Sequence, residues 1–214
     1  MQHLLTSPEI EAYSQQITQA EPEVAETIAE KTQSELKYSE MLTGKVEGRL
    51  LSRLVGLTEA RRVLEVGMFT GYSAYMMAGA LPGDGELITL EMNERYLEMA
   101  ERFLQGTPER KKINVVTGNA LETIPQLEGR FDLIFLDADK EHYPGYYELL
   151  KPKLNPGGLL VVDNALWYGE VVRPEDRKAV AIDKLNQTLR DDPDMENVML
   201  TVRDGIHLVR KKNI

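Results

Sequence analysis

"FDLIFLDADKEHYPGYYELLKPKLNPGGLLVVDN", residues 131–164, holds two apolar runs that each close on carboxylates. The first, "FDLIFLD" (131–137), and the second, "GLLVVDN" (158–164), are short and nearly continuous, as strands covered on both faces are. Between them, "YPGYYELLKPKL" has the spacing of a helix. Strand, helix, strand in that order is the right-handed crossover that joins parallel neighbours. Adjacent parallel strands lie about 4.8 Å apart. If these two are neighbours, Asp137, Asp163 and Asn164 meet in one small volume. Charge at the end of a buried strand is costly unless something answers it.

The same rhythm extends upstream. "RVLEV" (62–66), "ELITLE" (86–91) and "INVVTG" (113–118) read as strands, and "GYSAYMMAGAL", "NERYLEMAERFLQ" and "ALETIPQL" as the helical stretches between them. Strand alternating with helix implies an open, mostly parallel α/β sheet. After the helical stretch "PEDRKAVAIDKLNQTLRDD" the rhythm breaks, because "NVMLTV" and "IHLVRKK" are separated only by "RDG". That is too short for a parallel crossover, so these two run antiparallel if they pair directly. The first sixty residues read as helices, with Ser7 as N-cap, Pro8 at the first helical position and Glu9 in the first turn. The expected organisation is one domain over residues 1–214, an N-terminal helical extension (1–60) packed on a core (61–214).

Composition excludes several classes. The 214 residues are 42% hydrophobic and 28% charged, as in a soluble globular chain. No apolar run approaches the roughly 18 residues that span a bilayer, so no membrane role is expected. The start "MQHLLTSPEIEAYSQQ" lacks the basic and then apolar pattern of a secretory signal. The absence of cysteine excludes disulfides and thiolate metal sites, and a reducing cytoplasm is the expected setting. A formal net charge of −10 argues against broad nucleic-acid binding.

Parallel sheets bind ligands beyond the carboxyl ends of their strands. Gly67 and Gly71 follow the first strand with G-x-x-x-G spacing, and Glu65 stands just before them. A dinucleotide fingerprint would be G-x-G-x-x-G. A carboxylate beside the loop suits a cationic ligand better than a pyrophosphate. Glu91, ending the second strand, is placed to take ribose hydroxyls, and "GNA" (118–120) is placed to border an adenine. Each feature alone is an ordinary turn or a solvated strand end. In order, on successive strand ends, they favour a cationic nucleoside, S-adenosylmethionine. The missing middle glycine and Glu65 count against the rival reading, an NAD-dependent oxidoreductase.

Asp137, Asp163 and Asn164 are a hard-oxygen set suited to Mg²⁺, Mn²⁺ or Ca²⁺ and poorly suited to zinc. Without Asp137, the other two would be read as a turn. Lys140 lies three residues beyond Asp137. Near a cation in a partly dry pocket its pKa is expected to fall, which would make it a base. The plain alternative is an exposed lysine pairing with Glu141 or Asp139. Trp167 and Tyr168 follow on a loop and are placed to wall an aromatic substrate, with a core or interface role equally open. His3, His142 and His207 form no spaced cluster.

Six stretches in order, "KYSEMLTGKVEGRLLSRL", "VLEVGMFTGYSA", "ITLEMNERY", "GNALETIPQL", "FLDADKEHYPGYY" and "GGLLVVDNALWYGEV", resemble the cation-dependent O-methyltransferases of the caffeoyl-CoA and catechol type. The resemblance covers nearly the whole chain. It implies a doubly wound, Rossmann-like class I methyltransferase with seven strands, the last antiparallel. It implies Asp137, Asp163 and Asn164 as metal ligands and Lys140 as the base. Met41, Thr43, Glu65, Gly67, Ser73, Glu91, Ala120 and Asp139 would line the cofactor site, which Asp137 also borders. Tyr72 would sit near the methionine part and Tyr146 near the cofactor or substrate edge. Lys140, Asn164 and Trp167 would meet the acceptor, expected to be a small aromatic with two adjacent hydroxyls. A homodimer is implied, with the N-terminal segment shaping the acceptor pocket. The basic residues that hold a CoA tail in the plant enzymes have no match here, so no CoA substrate is assigned. A metal-independent methyltransferase is the second rival, disfavoured by the acidic balance and the Asp/Asp/Asn set.

Overall fold

In the computed structural model, which describes residues 5–213, the apolar runs become one sheet. His3 lies outside the described residues. The strands are β1 (Arg62–Val66), β2 (Glu86–Glu91), β3 (Ile113–Thr117), β4 (Phe131–Leu136), β5 (Leu154–Val162), β6 (Met195–Leu200) and β7 (Ile206–Lys211). Their order across the sheet is β3-β2-β1-β4-β5-β7-β6. β1 runs parallel to β2 and β4, and β4 parallel to β5. β7 lies antiparallel to both β5 and β6. Neighbouring β4 and β5 are in register at Leu136 and Val162, which sets Asp137 beside Asp163.

Alternate residues serve opposite faces. Val63, Leu133, Phe135 and Val161 meet α2 (Glu23–Glu35), α3 (Lys45–Leu57) and α4 (Tyr72–Ala78) through Ile28, Leu51 and Met77. Leu64, Ile134, Leu160 and Val162 face α7 (Tyr143–Leu150) and α8 (Arg177–Asp191), where Tyr147, Ile182 and Leu185 fill the layer. The N-terminal helices α2 and α3 therefore bury apolar residues in the same cluster as the sheet, and Thr32 bonds Thr70 across 2.8 Å. In α1 (Pro8–Ile17) the Ser7 side chain accepts from Ile10 N, and none of that helix's residues is buried.

β6 lies two residues earlier than the expected "NVMLTV" (197–202), and two further elements differ from the sequence reading. β5 begins at Leu154 rather than 158, because "NPGG" forms an irregular stretch: Phe131 pairs with Leu154 but Leu133 with Leu159. α5 (Glu94–Leu104) forms where "NERYLEMAERFLQ" placed it, whereas the segment "ALETIPQL" shrinks to one turn, α6 (Ala120–Thr123), followed by a 3-10 turn over Ile124–Gln126. Pro125 has no N–H to continue the helix.

α3 and α4 pack closely because Gly48 has no side chain. A Cβ there would lie 2.7 Å from Tyr72 Cε1, whereas one at Gly56, in the same helix, would meet nothing within 4 Å. Gly48→Ala is expected to lower stability by about 1–3 kcal/mol through overpacking. Gly56→Ala is expected to raise it by about 0.5–1 kcal/mol through helix propensity. Urea midpoints of the two variants test this; shifts of the same sign would contradict the packing described.

Candidate active site

The order in which the chain lays down its strands reverses between β1 and β4, and at that point a crevice opens at the carboxyl ends. It is a cavity of about 400 Å³ lined by residues from the ends of β1, β2, β4 and β5. Gly67 makes the turn after β1 with φ +100°, and a Cβ there would lie 2.0 Å from the Asp137 carbonyl oxygen. The backbone of the first loop thus rests directly on the β4 strand end. Gly67 N and Met68 N both donate to Leu90 O, at 3.1 and 3.2 Å, tying the same loop to β2.

Glu91 holds the loops together. Its Oε1 accepts from Met92 N and Asn93 N at 2.8 and 2.9 Å, and its Oε2 accepts from Phe69 N at 2.9 Å. Carboxylates accept about four bonds, so one acceptor position is left for a ligand hydroxyl. Met41, Ala120, Asp139 and Tyr146 also line this cavity, as do Gly67 and Glu91. Phe69 and Tyr96 add an edge-to-face ring pair, centroids 4.7 Å apart at 78°. The sequence reading missed both rings. Phe69 reaches the cavity with a positive φ of 52°, which its residue type does not signal.

Four expected cofactor residues stand back from the large cavity. Thr43, Tyr72 and Ser73 line a small adjoining pocket together with Met41 and Gly67. The Tyr72 hydroxyl is turned to Glu21, to which it donates. Glu65 lines neither space and has no exposed surface. Its carboxylate accepts from Thr89 Oγ1 at 2.5 Å, with Ser73 also bonded to it. Burial pushes the Glu65 pKa up to about 8, against the pull of those hydroxyls.

At the other end, Asp137, Lys140, Asp163, Asn164 and Trp167 all face the cavity. Asp137 N donates to Val66 O at 2.9 Å and Asp163 N to Leu136 O at 3.0 Å, so the sheet's hydrogen bonds carry both aspartates to its rim. Tyr143, fully buried, reaches both strand ends through its hydroxyl, 3.3 Å from Leu136 O and 3.1 Å from Asp163 O. Lys140 Nζ pairs with Asp137 Oδ1 at 2.5 Å. The expected fall in the Lys140 pKa was tied to a nearby cation, and the protein groups by themselves pull the other way. Burial opposes its charge, but Asp137, Tyr143 and Asp163 outweigh burial and hold the ammonium above the usual lysine range.

A second buried carboxylate comes from α3. Glu47 has no exposed surface, its Oε1 has no partner, and its Oε2 pairs with Arg203 Nη1 at 3.1 Å. Burial first, and then Asp163, push its pKa well above the carboxylate range. Burial and Asp137 likewise push Asp163 up to about 6. Arg203 also donates to Leu42 O at 3.1 Å, joining the last hairpin to the N-terminal region. Glu47, Asp137 and Asp163 thus crowd together against Lys140 and Arg203. Among the described residues no three His, Cys, Asp or Glu side chains are grouped to hold a metal. The candidate set is instead two carboxylates and an amide oxygen.

The outer wall is aromatic. Trp167 and Tyr168 both have positive φ, 44° and 55°, and their ring centroids lie 5.3 Å apart. Lys178 Nζ sits 5.5 Å from the Trp167 ring centroid, and Glu40 and Arg203 complete the lining. Asp139 lies at the rim, accepting from Glu141 N and bonded to His142 Nδ1 at 2.8 Å.

A seven-stranded sheet with only β7 reversed and a cavity at its strand ends is the class I methyltransferase architecture. A sequence profile of the O-methyltransferase family matches residues 14–212. Caffeoyl-CoA O-methyltransferase 1 of Eucalyptus globulus is 38% identical over 204 residues, covering 89% of this chain and 82% of that protein. Caffeoyl-CoA O-methyltransferase 2 of Populus trichocarpa is 36% identical over 205 residues, covering 89% and 83%. Among solved structures, the O-methyltransferase TomG of Streptomyces achromogenes in complex with S-adenosylmethionine superposes with a TM-score of 0.87. It is 28% identical and covers 95% of this chain and 96% of that one. The chain belongs to the O-methyltransferase family, whose members draw their methyl group from S-adenosylmethionine. That removes the oxidoreductase rival. Among the described residues no helix is long and apolar enough to cross a membrane.

Gly67→Ala tests the contact on which the cavity is built. A Cβ against backbone has nowhere to go, and φ +100° adds strain for any side chain. The variant is expected to lose at least about 2 kcal/mol of stability and most of its affinity for S-adenosylmethionine, read by thermal melting and calorimetry. Unchanged melting and binding would contradict the close approach.

Proposed function

We propose that this enzyme transfers the methyl group of S-adenosylmethionine to one hydroxyl of a small aromatic with two adjacent hydroxyls. Asp137, Asp163 and Asn164 would hold a divalent cation for the purpose. The observation that carries this reading is the meeting of those three side chains with Lys140 at adjacent strand ends. The residues fit such an ion in two respects. Their donors are oxygens, as Mg²⁺ or Mn²⁺ requires. Their surroundings hold an excess of carboxylates, one with an unpartnered buried oxygen, Glu47 Oε1. A hard cation bound there would act as a Lewis acid, lowering the pKa of a hydroxyl presented to it.

The protein's own residues do the rest. Trp167 and Tyr168 supply a flat wall for an aromatic ring. Glu91, Gly67 and Ala120 cradle the nucleoside end, so that the methyl donor points toward Asp137. Holding the two reactants together in line can supply roughly 7–11 kcal/mol of the barrier. Lys140 receives the acceptor's proton at Nζ. It can do so once Asp137 and Asp163 are neutralised, because those carboxylates are what hold it charged. Two adjacent hydroxyls on the acceptor match a site with open oxygen coordination better than one does.

Lys140→Ala is expected to lower kcat by about 10²- to 10⁴-fold with cofactor affinity unchanged. The defect should shrink as pH rises and the phenol ionises in solution. A pH-independent defect would remove Lys140 from the proton transfer.

Chelation and acceptor choice test the reading as a whole. Activity on caffeic acid is expected to vanish in EDTA and return with Mg²⁺ or Mn²⁺, and a monophenol with the same side chain should react at least tenfold more slowly. Full activity in metal-stripped enzyme, or equal rates on both acceptors, would favour a metal-independent methyltransferase instead.

A further inference from the structure

Asn164 is useful at this site only if its amide oxygen, and not its nitrogen, faces the cavity. Its own loop does not decide that. Asn164 has a positive φ of 52° and sits at the start of a stretch that continues through Trp167 and Tyr168. What surrounds this stretch is the β6–β7 turn on one side and α8 on the other.

The turn contributes Asp204, which is not among the residues lining the cavity. Its Oδ2 accepts from Asn164 Nδ2 at 3.3 Å, and its Oδ1 accepts from Tyr168 N at 2.5 Å. Two carbonyls of the same turn accept as well: Asp204 O from Leu166 N at 3.0 Å, and Gly205 O from Ala165 N at 2.9 Å. A carboxylate has no proton to donate, so it selects the nitrogen end of the Asn164 amide. With Nδ2 committed to Asp204, Oδ1 is the end left for the cavity.

α8 holds the loop from the far side. Asn186 Nδ2 donates to Ala165 O at 2.7 Å. A carbonyl accepts only, so the Asn186 oxygen is the atom that meets His207 Nδ1, at 3.0 Å, and the imidazole carries its proton there. His207 is 3% exposed, and its Nε2 faces Asn197 Oδ1 at 3.1 Å, the Asn197 nitrogen being given to Leu189 O. Both ring nitrogens thus face amide oxygens, and the proton on Nδ1 fixes which way Asn186 points.

We propose that Asp204, with Asn186 and His207 opposite it, is a two-sided clamp that presents the Asn164 amide oxygen to the cation. These are positioning residues: each acts through the 164–168 loop. The inference rests on the cation reading given above, and the experiment separates the two. Groups that orient metal ligands typically alter metal affinity about 10- to 100-fold when removed.

The test is Mn²⁺ titration of the full chain, followed by the loss of the free-ion signal in electron paramagnetic resonance, with S-adenosylmethionine affinity measured in parallel by calorimetry. Asp204→Asn keeps the size but supplies an NH₂ group that can bond the Asn164 oxygen and turn the amide round. It is expected to weaken Mn²⁺ about 10- to 100-fold and leave cofactor affinity within twofold. Asn186→Ala is expected to weaken Mn²⁺ in the same selective way, and Glu196→Gln, on the exposed side of β6, to change neither. Should Asp204→Asn fail to fold, Asn186→Ala decides the matter alone. Wild-type Mn²⁺ affinity in the folded variants would overturn the clamp. Wild-type protein that binds no Mn²⁺ in the presence of cofactor would overturn the cation reading itself, and the clamp with it.

Discussion

The crowding of Glu47, Asp137 and Asp163 against Lys140 and Arg203 is the constraint on which the rest of the site depends. Burial first, and then the neighbouring carboxylates, raise the pKa of both Glu47 and Asp163. Such a group persists only where the fold forces it. Here the force is the sheet. β4 and β5 are parallel and in register, so their last residues end side by side. Two buried apolar layers hold that register, and Asp137 and Asp163 cannot separate without breaking it. The chain's two ends then complete the arrangement. α3 delivers Glu47 from one and the final hairpin delivers Arg203 from the other, joined by a 3.1 Å ion pair.

The cofactor end and the charged end are not independent. Gly67 rests on the Asp137 carbonyl, so the loop proposed to border the nucleoside and the strand that carries the aspartate share a backbone contact. Glu91 braces that loop from β2 through Phe69 N. A donor methyl and an acceptor oxygen must be held within a few tenths of an ångström of the productive geometry for methyl transfer to be fast. A contact between two backbones is a stiffer way to set that distance than side chains on separate loops.

Much of this was legible in the sequence. Short apolar runs closing on Asp137, Asp163 and Glu91 marked both the strands and the ends that line the cavity, because in a parallel sheet a polar residue just after an apolar run has nowhere to be but the rim. The antiparallel hairpin followed from the shortness of "RDG". Side-chain direction was harder. Glu47 sits in the helical pattern "KVEGRLLSRL", where a glutamate reads as a solvated residue, and only the packing of α3 against α4 turns it inward. Arg203 and Asp204 belonged to what read as a simple turn. Glu65 was expected to line the cofactor site but lines neither pocket, because its carboxylate is drawn to Thr89 and Ser73. Lys140, if simply paired, was expected to meet Glu141 or Asp139; it meets Asp137 instead. In each case the deciding partner is far away in sequence or depends on which of two neighbours the side chain meets.

The most direct measurement is anomalous diffraction from crystals grown with Mn²⁺ and S-adenosylhomocysteine. The expected result is one manganese peak within about 2.0–2.6 Å of oxygens from Asp137, Asp163 and Asn164, with the Lys140–Asp137 pair loosened and the nucleoside beside Glu91. A cofactor-loaded crystal with no manganese at those three side chains, or with the ion bound elsewhere, would contradict the cation-assisted reading of the site.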